Sequence, residues 1–160
     1  MRVWVTIAVI CLASGAFAQG LQVAFAGFDQ DADEAIEIAA DSMSIDQEDG
    51  RALLTGAVTI GQGDLRLSAP QVTVTYTEAG GIDTILAEGG VIVVTPEEEV
   101  EATTALYTLS ADEMLLTGDV LLSQGRSAVS AERMRVDLSS GTALLEGRVR
   151  TVLQPNDADE

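Results

Sequence analysis

Two landmarks recur four times between residues 40 and 149. One is Ala-x-x-Φ-x-Φ, with Φ mostly apolar: Ala40-Met43-Ile45, Ala69-Val72-Val74, Ala102-Ala105-Tyr107 and Ala131-Met134-Val136. The other is an apolar residue followed by x-Gly-x-Val: Leu54-Gly56-Val58, Ala87-Gly89-Val91, Leu116-Gly118-Val120 and Leu145-Gly147-Val149. The alanines are 29, 33 and 29 residues apart, and each of the first three glycines precedes the next alanine by 13. The longer unit has its extra residues around Thr77–Asp83 (TEAGGID), where a longer hairpin loop fits. A repeat of this length marks one supersecondary unit that buries its apolar face by stacking on its neighbours.

Within each unit apolar residues alternate, as in Leu54-x-Gly56-x-Val58-x-Ile60, Leu65-x-Leu67 and Val72-x-Val74-x-Tyr76. Period two with Val, Ile and Thr enrichment predicts strands buried on one face. Gly-containing turns such as Gln47–Gly50, Gly61–Gly63 and Ser139–Gly141 separate the runs. The parity slips by one at each alanine: Leu67 and Ala69 share one phase, Val72 and Val74 the other. Such a slip turns side chains to the wrong face unless the strand bends or bulges there. Pro70 at one of these corners fits, because proline is excluded from the middle of a ladder. The expected fold is all-β: four repeats of about 29 residues whose corners curl the sheet into a two-walled wrap with an apolar interior.

The remaining features narrow the chemistry. Net charge is −18, which excludes nucleic-acid binding because phosphate recognition needs a basic face. There is no His and the one Cys is Cys11, so His-dependent nucleophilic triads and the usual zinc sites are absent, and no metal or cofactor is expected. Residues 1–18 read as a cleaved signal peptide. Arg2 precedes the apolar run Val3–Leu12, which is too short to span a bilayer, and Ala16-Phe17-Ala18 is an A-x-A site. Cleavage after Ala18 predicts export. Residues 19–35 are expected to be a flexible leader or a short helix, and 154–160 an acidic tail. The leader's Asp29-x-Asp31-x-Asp33 lacks the Gly and the final Glu of a calcium loop.

The inward phase is aliphatic: Ile36, Ile38, Met43, Ile45, Leu54, Val58, Ile60, Leu67, Val72, Val74, Leu116, Val120 and Val136. An ordinary dry core and a splayed groove for acyl chains are both compatible with it. At about 0.8 kcal/mol per buried methylene, such a lining could hold several chains without any polar contact.

Residues 35–76, the second LLTGDVLLSQG stretch (Leu115–Gly125) and the closing VRTVLQP (Val149–Pro155) together resemble the OstA-like (LptA) family of periplasmic lipopolysaccharide-transport proteins. The likeness extends over about residues 35–155. It implies a single twisted antiparallel β-jelly roll, open along one side, that serves as a lipopolysaccharide carrier bridging the inner and outer membranes, with lipid A acyl chains against Ile36, Ile38, Tyr107, Leu109 and the aliphatic lining. It implies head-to-tail self-association through edge strands. Ile36, Glu37 and Ile38 would face an LptC-like inner-membrane protein, and Arg148, Val149 and Arg150 an LptD-like outer-membrane protein. Two other readings stand beside it. One is a ligand-free structural β-repeat protein that polymerises through its edges. The other is a carboxylate-dependent glycan hydrolase built on Glu97-Glu98-Glu99, a run better read as a solvated turn.

Overall fold

The computed structural model describes residues 21–24 and 34–153. The expected signal peptide, most of the expected leader and the expected acidic tail lie outside the described residues. The strands, in chain order, are β1 (Leu21–Ala24), β2 (Glu37–Ala39), β3 (Ser42–Asp46), β4 (Arg51–Gln62), β5 (Leu65–Tyr76), β6 (Ile82–Val94), β7 (Glu98–Thr108), β8 (Glu113–Gln124), β9 (Ser127–Asp137), β10 (Thr142–Glu146) and β11 (Arg150–Val152). A 3-10 turn, Leu109–Ala111, links β7 to β8.

All eleven strands form one antiparallel sheet in the order β1-β10-β9-β8-β7-β6-β5-β4-β2, with β3 also on β4 and β11 also on β9. From β4 to β9 each strand pairs with the next in sequence, as hairpin connections require. At one end β2 and β3 are two halves of a bent strand along β4; at the other, β10 and β11 do the same along β9. Leu21–Ala24 departs from the expected flexible leader: it is a strand, with Leu21 opposite Leu145 and Ala24 opposite Thr142.

The corners sit where the parity slips. In β4, Thr55 pairs with Gln71 and Val58 with Ala69, so Gly56 and Ala57 together oppose Pro70. In β8, Gly118 and Asp119 oppose Glu132 in the same way, and in β6 Gly89 and Gly90 oppose Thr103. Two residues against one is a β-bulge, and it restores the inward phase on both sides of the bend. Both bulge residues are left-handed: Gly118 has φ +81° and Asp119 +48°, and Gly147 with Arg148 repeats this at +80° and +46°. The first position must be glycine for a second reason. A Cβ on Gly118 would lie 2.5 Å from Thr103 Oγ1 and 2.7 Å from Thr103 Cβ. Thr103 is the residue after the repeated alanine, and its Oγ1 donates to the Gly118 carbonyl at 3.2 Å. At the first and last corners the backbone N–H of Asp41 and of Glu132 reaches the equivalent carbonyls of Gly56 and Gly147, each at 2.9 Å.

The corners divide every long strand into two half-strands, and the halves make two facing walls over one apolar core. That core takes Leu54, Val72, Val74, Met114, Leu116 and Met134 from one wall and Val58, Leu67, Val91, Val93, Val120 and Leu122 from the other. The outer faces carry the polar phase, including the Thr104–Thr117 hydroxyl pair (2.6 Å) and the ion pairs Arg135–Glu113 and Arg133–Glu146 (3.6 Å each). The long loop after β5 is closed by Thr77, whose Oγ1 accepts from the Gly81 N–H at 3.2 Å. The turns after β3 and β9 share one device: Asp46 Oδ1 accepts from the N–H of Glu48 and Asp49, and Asp137 Oδ1 from those of Ser139 and Ser140.

Candidate lipid-binding cleft

Hairpin turns end the half-strands opposite the corners, so two rows of turns form the lips of the open side. Between the lips lies an apolar cleft. Ile60, Gln62, Leu65 and Leu67 line it from one wall; Ile85, Tyr107, Met114 and Leu138 line it from the other, and Ile36 joins from the segment before β2. Its volume is only about 20 Å³, roughly one water molecule. In this state the walls are closed on each other.

A polar contact crosses the lips. Tyr107 Oη donates to Gln62 Oε1 at 3.4 Å, and Gln62 Nε2 donates to the Glu34 carbonyl at 3.2 Å. Burial pushes the Tyr107 phenol above its ordinary range, helped by Asp112 and opposed by the Gln62 bond. The group therefore stays a neutral donor.

The lining expected from the sequence falls into three sets. Leu54, Val58, Ile60, Leu67, Val72, Val74, Tyr107, Leu116, Val120 and Val136 are buried in the shared core. Ile36, Ile38 and Leu109 are half-buried and pack against it. Met43 and Ile45 are 51% and 62% exposed. They are paired with buried Leu54 and Ala52, and opposed residues in a ladder share a face. Met43 and Ile45 thus belong to the inner face, but at this end of the roll nothing among the described residues covers them. Of the expected lining, Ile36, Ile60, Leu67 and Tyr107 meet at the cleft itself. Gln62 was missed by the sequence reading, because a polar residue at the end of a strand looks like part of the turn.

Of the expected edge residues, Glu37 is exposed on β2 and Ile38 pairs with Ile60 of β4. Arg148 occupies the left-handed corner and makes a 2.6 Å contact with Glu132, while Arg150 opens β11. The reading of Glu97–Glu99 as a solvated turn is corrected at its centre. Glu97 and Glu99 are exposed, but Glu98 is buried. Its Oε1 accepts from Gln124 Nε2 at 3.0 Å, and its Oε2 has no hydrogen-bond partner among the described residues. Desolvation, and secondarily Glu97, push its carboxyl above the ordinary range, against the Thr95 hydrogen bond. It is the one buried carboxyl among the described residues, whereas glycoside hydrolysis uses two.

The fold matches the crystal structure of LptH from Pseudomonas aeruginosa, described as the LptA homologous periplasmic component of the conserved lipopolysaccharide transport device. The TM-score is 0.69 at 19% identity, over 79% of this chain and 99% of that one. An uncharacterized protein of Rhizobium meliloti is 28% identical over 156 residues, covering 90% of this chain and 84% of its own length. Residues 37–142 match the family described as LptA/(LptD N-terminal domain) LPS transport protein. From β2 into β10, then, this chain belongs to the LptA/LptD N-terminal domain family of lipopolysaccharide-transport proteins.

Proposed function

We propose that this protein is a non-enzymatic periplasmic carrier that holds the acyl chains of lipopolysaccharide between its walls and hands them on between membranes. The observation that carries this reading is the inner face that continues, uncovered, to Met43 and Ile45 at the end of the roll. A dry core would end on polar residues there; a conduit for lipid continues into the next subunit. The signal peptide, cleaved after Ala18, delivers the chain to the periplasm. The outer edge of β2 and β3, free among the described residues, accepts a strand from an LptC-like protein. Residues Arg148–Arg150, leading into β11, form the edge offered to an LptD-like protein or a second copy, since unpaired backbone groups are a template for strand addition.

Binding rests on acyl burial, because a chain with net charge −18 does not attract lipid A phosphates. Photocrosslinkers at Ile36, Ile38 or Tyr107 should capture lipopolysaccharide in living cells, and those at outward Thr55 or Thr117 should not. Equal capture from both sets would sink the reading. Affinity should change little between low and high salt.

The small cleft favours a second reading, a structural polymer with a permanently dry interior. The two separate on one measurement. The carrier's melting temperature rises with added lipopolysaccharide, and the polymer's does not.

A further inference from the structure

The two ends of the sheet differ in one respect. The outer edge of β2 and β3 is free among the described residues, and so is that of β11, but β10 is covered by β1. The covering strand comes from this chain's own leader, in a four-residue antiparallel register from Leu21↔Leu145 to Ala24↔Thr142.

The covalent path permits this within one molecule. Ala24 lies beside Thr142, four residues after Leu138, and Leu138 shares the cleft with Ile36. Both ends of the leader thus meet the same β9–β10 turn region. The twelve residues 25–36 could span roughly 40 Å when extended. The leader also carries the sequence of a strand, with Leu21, Val23 and Phe25 at alternate positions.

We infer that Leu21–Ala24 is a strand the chain lends to its own β10 edge, and that it must leave before a strand from a second copy can take that place. This rests on the head-to-tail reading proposed above. β11 alone offers a partner only three residues of ladder; β10 and β11 together offer eight, interrupted by the corner at Gly147 and Arg148. Only an uncapped copy presents the whole edge. The leader is therefore a competitor built into the chain, present at an effective concentration in the millimolar range expected of short tethers. It holds copies apart until their local concentration, or a better-fitting edge, exceeds it.

The test compares three forms of the chain from Gln19: unaltered, lacking residues 19–24, and carrying Gln22→Cys with Leu144→Cys, a register pair. The only cysteine of the full sequence, Cys11, lies before Gln19, so the new pair has no competitor. Oxidation should close the pair within one chain, leaving a monomer on a non-reducing gel; failure to close, or closure only between chains, overturns the proposal. Sedimentation should show the truncated form self-associating at least tenfold more tightly than the locked one. Equal association of the two overturns competition. A synthetic peptide of residues 19–27 should bind the truncated form and protect its β10 amides from hydrogen exchange, and should not bind the locked form. If no form self-associates, the head-to-tail reading has failed; the crosslink and the peptide still decide whether the leader occupies β10.

Discussion

Single residues set the corners. Gly118→Ala places a Cβ into Thr103 at a left-handed φ, and should cost about 2–4 kcal/mol in urea unfolding. Gly90 is the internal control: its φ is +101°, yet nothing lies within 4 Å of the added Cβ, so Gly90→Ala should cost only about 1–2 kcal/mol. Equal losses would mean that the close approach of Thr103 is irrelevant. Tyr107→Phe removes the hydrogen bond to Gln62 across the lips. It should lower stability by no more than about 1.5 kcal/mol while speeding lipid uptake in a stopped-flow assay. Folded Glu98 holds its proton more tightly than the unfolded chain does. Its contribution to folding is therefore complete below its ordinary pKa and is lost as pH rises through the elevated one. Glu98→Gln should be more stable than the unaltered protein at roughly pH 8, and the two should converge by roughly pH 4. Parallel profiles would show that Glu98 is not desolvated in solution.

At the scale of elements, the edge half-strands combine an inner-face register with exposure. Met43→Glu or Ile45→Glu should change unfolding free energy by no more than about 0.5 kcal/mol, because neither side chain is covered. The same changes should reduce lipopolysaccharide capture by a crosslinker at Ile38. A stability loss of several kcal/mol would place both residues in a closed core instead. The repeat was readable from the sequence because each corner is written in two places, the parity slip after alanine and the glycine of the neighbouring strand. The places of the corners and the inward phase of the buried core followed from that spacing. The exposure of Met43 and Ile45 was not readable, because alternation records which face a residue is on and not whether an opposite wall reaches it. Gln62 was hidden by its polarity, and Glu98 by two exposed neighbours of the same kind. The β1–β10 pairing joins residues more than 100 positions apart, a separation that no local pattern encodes.

For the whole molecule, two walls meeting at closed lips, with the outer edges of β2, β3 and β11 free among the described residues, suit the carrier proposed above. The row of corners has a mechanical consequence for loading. Each half-strand from corner to lip is about five residues, or roughly 17 Å of lever arm. A rotation of about 10° around the line of corners would part the lips by roughly 3 Å. No ladder hydrogen bond need break, because every ladder runs within a wall and past the corner, not across the gap. The resistance to such a hinge comes from the Tyr107–Gln62 bond and from apolar contacts, and an entering acyl chain replaces apolar contacts with others of the same kind. A closed cleft of one water's volume can therefore be the resting position of a clamp whose jaws are opened by the cargo itself.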